Sequence, residues 1–390
     1  MRRAAVPIVI AGLFLFLFFP SYMVQWIGLV TVLLVVVAWG YTRVVDMGLV
    51  IERTDERLRA YKHQIVTVRL RIRNRSILPI PHLMVTDNPG SLYTGHRNHR
   101  LLSMRAGERS DLVYDIKAMN RGAYRIGPVD IRFSDPFGFF PVSRIVETEA
   151  RLIVYPRVYP VDIAFHHGVP AGSITAASRI YEDPTRYRAI REYVSGDELR
   201  RVNWKASARL GTLHSTEWLP TINTPVLILL ALGVHDYEQR NRYAHSERTI
   251  DAAASVVQYL AERKQEIGFI TTGRIRGAVD GVLPTVRVAS GIAHAVAILE
   301  LLAELELNQD QVSVVDRLLE RGRLSPGTRV FYMGPALDED ALSRLLMAVR
   351  NRSLLRLYYT AQGVQEPATA RPDGVRRFTV TETGDELFTL

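Results

Sequence analysis

The sequence predicts a multidomain α+β protein made of a two-helix transmembrane hairpin, an antiparallel β-sandwich and a doubly wound α/β domain. Three observations support this fold class. Residues 4–40 carry no charge and are strongly apolar. Apolar and polar residues then alternate with period two, as in residues 66–73. After Pro225, short apolar runs alternate with apolar stripes at helical spacing. We expect the hairpin over residues 1–45, the sandwich over 46–160, a joining segment over 161–222 and the α/β domain over 223–390.

The composition limits the chemistry. The 390 residues include 49 Lys and Arg against 40 Asp and Glu, a formal charge of +9, and nearly all of the positive charge is on arginine. A basic balance fits nucleic acid, an anionic membrane surface or an acidic partner. The chain has no cysteine, so disulfides and thiolate metal sites are excluded.

The apolar N-terminus divides into two runs, residues 4–19 and 23–40, with Pro20-Ser21-Tyr22 between them. Each run is close to the shortest length that crosses a hydrocarbon core. An uncleaved signal sequence is the alternative. The first run, however, ends in Phe-Phe-Pro rather than in small residues, and a second run follows at once, which favours a hairpin.

Arginines flank the outer ends of the two runs, whereas the turn carries no charge; they are Arg2, Arg3, Arg43 and Arg53. The positive-inside rule then places both ends in the cytoplasm. We therefore expect a multi-pass protein of the inner (plasma) membrane, in contact with membrane lipid, with most of the chain cytoplasmic. A single span would reverse this orientation.

The next hundred residues alternate as strands with one buried face do. Residues 66–73 alternate at every position, and Leu112, Tyr114 and Ile116 as well as Val129, Ile131 and Phe133 recur with period two. Turn residues separate these runs, which predicts a small antiparallel sandwich. Asp135-Pro136-Phe137-Gly138-Phe139-Phe140 follows as a turn whose Phe side chains we expect to pack against the next unit.

From Pro225 the pattern is that of alternating strands and helices. Residues 225–232, 267–271, 328–333 and 353–360 are predicted strands. Ser246 is the predicted cap of one helix, and Asp338 lies in the first turn of another. Alternation of this kind predicts a mostly parallel, doubly wound sheet. The loop after the first strand, Ala231 to Asp236, contains no phosphate-binding glycine motif. His166-His167 is a poor metal site, because adjacent residues of an extended chain point to opposite sides.

The joining segment is richest in polar and aromatic residues between Arg191 and Trp218. Gly196-Asp197 predicts a turn, with Asp197 capping a helix from Glu198 to Gly211. Leu199, Val202 and Ala206 would face inward, and Leu213 to Trp218 would form a strand. Exposed basic residues would be Arg200, Arg201, Lys205 and Arg209. Two interpretations stay open: an ion-pair and capping network joining two domains, or a docking site with Arg191, Asp197, Arg200, Trp204 and Arg209 presented to a partner.

The same segment resembles the signature of the bacterial domain-of-unknown-function fifty-eight family. The resemblance rests on Arg191-Glu192-Tyr193, Gly196-Asp197, Arg200, Trp204, Ser207-Ala208-Arg209 and Leu213. Upstream, Arg121-Gly122, Ile126-Gly127-Pro128 and Asp135-Pro136-Phe137-Gly138 also resemble this family, as does the two-span N-terminus.

The resemblance implies a membrane-anchored protein with a von Willebrand factor A-like domain and a MoxR-type AAA+ ATPase as partner. Other membrane proteins of the same gene cluster are further implied partners. Ion-binding von Willebrand A domains hold Mg²⁺ through three loops. Here those loops contain Ala231, Ser290-Gly291-Ile292 and Met333-Gly334-Pro335, so we expect no metal and no cofactor.

The leading hypothesis is a non-catalytic scaffold or adaptor for such an ATPase in cell-envelope assembly or stress response. The alternative is an enzyme of envelope metabolism with Asp197, Glu192 and Arg209 in its site. A third hypothesis, nucleic-acid binding, rests on the charge alone and has no groove-reading motif, so we expect no nucleic-acid partner.

Overall fold

The computed structural model describes residues 2–95, 98–161, 181–195, Asp197, Leu199, 202–221, 225–278, 283–325, 327–349, 354–359 and 376–379. The chain divides into two compact units, Met1–Pro156 and Arg157–Leu390. Mixed α-helical and β-sheet structure is present, as the sequence predicts.

The first unit begins with two apolar helices, α1 (Arg2–Phe18) and α2 (Tyr22–Gly48). Within the described residues, α2 is the one helix long and apolar enough to cross a membrane, with 27 residues and a mean hydropathy of 2.1. The apolar part of α1, Val6–Phe18, is shorter. The two helices touch through their backbones, since a Cβ on Gly28 would lie 2.4 Å from the carbonyl oxygen of Gly12. A second span therefore remains a prediction.

Helix α2 continues eight residues past the end predicted at Gly40 and enters the β-domain. Val45 is fully buried in the core of that domain. Arg144 donates hydrogen bonds to the carbonyl oxygens of Asp46, at 3.1 Å, and Leu49, at 2.9 Å. A Cβ on Gly48 would lie 2.5 Å from the backbone nitrogen of Ser76. The end of α2 is thus part of the β-domain, which hydropathy alone did not indicate.

Three sheets share the core of the β-domain. The first has the order β1 (Leu49–Arg53), β3 (Ile65–Asn74), β6 (Arg109–Lys117). The second has the order β2 (Arg57–Tyr61), β10 (Ala150–Tyr155), β7 (Gly122–Ile126). The third has the order β5 (His99–Met104), β4 (Ile80–Asp87), β8 (Val129–Phe133), β9 (Val142–Val146).

The period-two prediction is confirmed in β3, where buried residues alternate with exposed ones and Arg69 and Arg71 lie on the outer face. One strand pair departs from the antiparallel prediction, because β2 and β10 are parallel. Arg53 also differs from its assignment as a membrane flank. Its side chain is buried and forms a bidentate ion pair with Asp87, in which Nη2 lies 2.9 Å from Oδ1 and Nη1 lies 3.0 Å from Oδ2.

The turn at residues 135–140 is held by its first residue. The Asp135 carboxylate accepts hydrogen bonds from the backbone N–H groups of Phe137, at 2.9 Å, and Phe140, at 2.6 Å. The expectation that the Phe side chains pack against the next unit is wrong for Phe137. Its side chain is 60% exposed and stacks on Phe139 with a centroid distance of 6.0 Å.

The second unit begins with two paired strands, β11 (Tyr181–Glu192) and β12 (His214–Thr221), with a short helix α3 (Trp204–Leu210) between them in sequence. A six-stranded sheet follows. Its order is β16 (Thr285–Ala289), β14 (Ile267–Thr271), β13 (Val226–Leu230), β18 (Arg329–Gly334), β19 (Leu355–Tyr359), β20 (Arg376–Thr379). All pairs are parallel except β14–β16. A small pair also forms, β15 (Arg274–Ile275) with β17 (Leu305–Glu306).

Four helices accompany this sheet: α4 (Arg242–Glu262), α5 (Ile292–Glu304), α6 (Val314–Glu320) and α7 (Glu339–Ala348). Asp338, predicted to lie in the first turn of α7, is its N-cap and accepts a hydrogen bond from the Ala341 N–H at 2.8 Å. Ser246 does not cap α4. That helix begins at Arg242, and the Ser246 hydroxyl donates to the carbonyl oxygen of Tyr243 within the first turn.

Candidate functional site

The signature segment forms one structural element, in which α3 lies in the connection between the antiparallel strands β11 and β12. Arg191 is paired with Ser215, and Glu192 with His214, at the end of the ladder next to this connection. Backbone hydrogen bonds continue past the ladder, from the Tyr193 N–H to the Leu213 carbonyl and from the Asn203 N–H to the His214 carbonyl. We call residues 190–216 the signature element.

Asp197 joins the connection to both strands. Its Oδ1 atom accepts a hydrogen bond from Arg191 Nη2 at 2.7 Å. Its Oδ2 atom accepts one from the Val194 N–H at 3.2 Å and one from the Ser215 hydroxyl at 3.1 Å. The hydrogen bond from Arg191, and then that from Val194, lowers the pKa of the Asp197 carboxyl below its usual value. Asp197 is therefore held as a carboxylate that fixes a turn.

The predicted helix cap is wrong, because Asn203 and not Asp197 begins the helix. The Asn203 Oδ1 atom accepts from the Ala206 N–H at 3.0 Å, and its Nδ2 atom donates to the Thr216 hydroxyl at 3.3 Å. Both residue types are good N-caps. Asn203 takes the role because it faces Thr216 on β12, while the carboxylate of Asp197 is occupied by Arg191, Val194 and Ser215.

Ser207 holds the middle of α3 against β12. Its hydroxyl donates to the Asn203 carbonyl oxygen at 2.9 Å and accepts from the His214 N–H at 2.9 Å. Gly211 ends the helix with a left-handed φ of 74°, as predicted. Asn203, Ser215 and Thr216 were missed as contributors. Asn203 carried a usable signal, since it stands three residues before Ala206 at the start of the helix.

Several apolar side chains of the signature element are exposed, contrary to the expectation that Leu199 would face inward. Trp204 is 68% exposed, Leu199 71% and Leu210 62%. Further exposed apolar side chains are those of Ile190, Val194 and Leu213. Lys205, Ala208 and Arg209 are exposed on the same short helix. We call these residues the exposed face.

The comparisons with known proteins bear on this element. The family described as protein of unknown function DUF58 matches residues 189–321. Residues 189–321 belong to the DUF58 family. The uncharacterized protein YeaD of Bacillus subtilis (strain 168) is 21% identical over 164 residues, which are 41% of this chain. The aligned part spans only 39% of the length of YeaD.

Two solved structures are similar over 27% of the chain. The CARDB domain of a Pyrococcus furiosus protein is 14% identical and is covered over 89% of its length, with a TM-score of 0.20. PapD-like domain 7 of human CEP192 is 8% identical and is covered over 84%, also with a TM-score of 0.20. Likenesses at this level say nothing about function.

The DUF58 match begins two residues before Arg191 and runs through α6. It contains Arg191, Glu192, Tyr193, Asp197, Trp204, Ser207, Ala208 and Arg209, all within the signature element. Glu192 is exposed at the end of β11, and the Tyr193 hydroxyl donates to the Asp197 carbonyl oxygen at 3.1 Å. Gly196, Glu198, Arg200 and Arg201 lie outside the described residues, as do His166, His167 and the side chain of Trp218.

The same DUF58 residues include the loop at the carboxyl end of β13, where open sheets of parallel strands usually bind their ligands. Asp236 accepts a hydrogen bond from the Gly233 N–H at 2.8 Å, and burial raises the pKa of its carboxyl. Across the described part of the chain, no three His, Cys, Asp or Glu side chains are grouped as metal ligands would be.

Proposed function

We propose that this protein is a non-catalytic, membrane-anchored adaptor that binds a partner protein through the exposed face of its DUF58 segment. The observation that carries the proposal is the exposure of Trp204 on a helix fixed from beneath. Asn203 and Ser207 hold α3 to β12, so the helix cannot rotate to bury Trp204 without breaking these bonds. A rigidly presented Trp beside Arg and Lys has the composition of an interface hot spot.

The partner we propose is a MoxR-type AAA+ ATPase, acting in cell-envelope assembly or stress response. This identity comes from the family resemblance. The chemistry of the exposed face adds a requirement, because Lys205 and Arg209 flank the apolar residues. A partner surface should therefore offer an apolar pocket for the Trp204 ring and carboxylates at its rim.

The membrane part of the proposal is a hairpin in which both α1 and α2 span the bilayer. Support comes from the backbone contact between Gly12 and Gly28, since small residues at such crossings let membrane helices approach closely. With both spans formed, the rest of the chain lies in the cytoplasm, where an AAA+ ATPase would be available.

We further propose that the second unit has a von Willebrand A-like fold without its metal ion. The sheet order supports this fold. The six strands can be numbered by their order along the chain. Across the sheet, starting from the antiparallel edge strand β16, they are then arranged in the order 3-2-1-4-5-6, which is the doubly wound order. The metal-free part of the proposal is supported by the residue types, because neither Ala231 nor Gly334 has a side-chain oxygen that could bind an ion.

The enzyme alternative assigns Asp197 and Glu192 to acid–base chemistry. The bonds of Asp197 disfavour it, because a carboxyl with a lowered pKa and two bonded oxygens is a poor proton donor and acceptor near neutral pH. Arg191, Val194 and Ser215 would each have to release it.

Co-purification with the proposed partner, a MoxR-type AAA+ ATPase, tests the adaptor function. Trp204→Ala should weaken binding at least about thirty-fold, as expected for a hot-spot residue. The matched control is Tyr243→Ala, which removes an aromatic ring 76% exposed on α4, outside the exposed face. The docking proposal fails if folded Trp204→Ala protein binds the ATPase as tightly as the Tyr243→Ala control.

A further inference from the structure

A groove of about 510 Å³ lies along the hairpin, between the Gly12–Gly28 contact and the β-domain. Both helices contribute to its walls. The lining residues of α1 are all apolar, and those of α2 are apolar except for one. These apolar lining residues are Val6, Val9, Ile10, Val35, Val36 and Trp39. The volume is within the range of small-molecule binding sites.

Two further residues complete the groove, and they differ in chemistry. Phe140, from the turn at residues 135–140, contributes an aromatic ring from the β-domain. Arg43 contributes the one charged group in the lining. It lies one helical turn beyond Trp39, and its guanidinium carbon is 5.7 Å from the centre of the Trp39 ring. The groove is therefore hydrocarbon along its length, with a cation where α2 leaves its apolar run.

This distribution matches a molecule with a long apolar chain and an anionic head. An apolar chain needs no hydrogen bonds from the six helix residues. A guanidinium binds a phosphate through two parallel hydrogen bonds. Trp side chains prefer the depth at which a lipid's chains meet its headgroup, and basic residues beside spans on the cytoplasmic side bind anionic headgroups.

We propose that the groove binds one anionic phospholipid of the bilayer, with an acyl chain between α1 and α2 and its phosphate on Arg43. The proposal rests on the membrane anchoring proposed above and is independent of the ATPase. It assigns the hairpin a ligand in addition to its role as an anchor. It also gives Phe140 a role, which is to close the groove from the side of the β-domain.

The test uses the full-length chain, purified in mild detergent and titrated with phosphatidylglycerol or phosphatidylcholine, with bound lipid counted by native mass spectrometry. Val36→Trp should fill the groove and abolish lipid retention. Its matched control is Val37→Trp. Val36 and Val37 are adjacent on α2 and are 55% and 57% exposed, but Val37 does not line the groove. Arg43→Gln should weaken phosphatidylglycerol binding about ten-fold and phosphatidylcholine binding less, because the choline cation of phosphatidylcholine offsets the charge of the phosphate that Arg43 binds.

A second arginine control is Arg75→Gln, since Arg75 lies outside the groove lining and is half exposed. Equal lipid retention by the two Trp variants would overturn the site. Unchanged phosphatidylglycerol binding in Arg43→Gln would overturn the assignment of the phosphate, and equal loss of both lipids would overturn the preference for an anionic lipid. If the protein fractionates with the membrane but gives one of these contradicting results, only the lipid proposal fails. If the protein is absent from the membrane fraction, the proposed membrane anchoring fails as well.

Discussion

At the scale of single residues, the most demanding interaction is the ion pair between Arg53 and Asp87. Both side chains are essentially unexposed, at 1% and 0%. Tyr114 donates a third hydrogen bond to Asp87 at 2.7 Å, and burial raises the pKa of the Tyr114 hydroxyl far above its usual value. A buried pair of this kind adds little net stability, but removing one partner leaves an uncompensated charge.

Asp87→Ala should therefore lower the free energy of unfolding of the β-domain by about 3–5 kcal/mol. The measurement is chemical denaturation of the purified chain, followed by far-ultraviolet circular dichroism. Asp111→Ala is the matched control, because Asp111 pairs with Arg71 at 3.8 Å with both side chains about half exposed. That pair should be worth at most about 1 kcal/mol. Similar losses in the two variants would mean that Arg53 can reach water.

At the scale of elements, the order of α3 depends on its attachment to β12, because a helix of seven residues is too short to be stable alone. Asn203→Ala removes the cap and the bond to Thr216. It should cost about 1–2 kcal/mol and speed hydrogen exchange at the amides of residues 206–210.

Asn203→Asp keeps an N-cap acceptor and should restore protection, while the exposed substitution Lys205→Ala should leave exchange unchanged. Partner binding should fall in Asn203→Ala although Trp204 is still present, since the ring would no longer be held in place. If α3 exchanges at the same rate in Asn203→Ala and in the unmodified protein, the cap does not order this helix.

At the scale of the whole molecule, the hairpin makes a prediction about orientation. Alkaline phosphatase inserted after Pro20 should be active, because the proposed hairpin places the turn between α1 and α2 outside the cytoplasm. The same enzyme fused after Leu390 should be inactive, and a fluorescent protein at that position should fluoresce. Activity of the C-terminal fusion would show that a single span forms and that the proposed cytoplasmic location is reversed.

The sequence predicted best those features that depend on neighbouring residues. The alternation in β3 and the glycine end of α3 at Gly211 were both readable from local spacing. The failures depend on distant contacts. Asp197 and Asn203 are equally suitable caps in sequence, and only Arg191, Ser215 and Thr216 decide between them. The parallel pairing of β2 with β10 joins segments about ninety residues apart, and no local pattern indicates its direction.

The sequence left the environment of Trp204 open between two interpretations for a related reason. A Trp side chain is usually buried, but the sequence does not show whether it is buried within its own chain or against a partner. Among the signature residues, Asp197 and Ser207 proved to bind within the element, whereas Trp204 and Arg209 point outward. One motif therefore combines side chains that hold the element together with exposed side chains that are accessible to a partner.

The unbroken course of α2 has a mechanical consequence. The helix passes from its apolar run into the β-domain without a flexible joint, and Val45, Arg144 and Ser76 clamp its last turns. A helix held in this way transmits torque. In the proposed membrane anchor, a tilt or rotation imposed on the hairpin by bilayer thickness or by a neighbouring membrane protein would also turn the β-domain. The proposed anchor would thereby convert changes in the bilayer into a reorientation of the domain outside it.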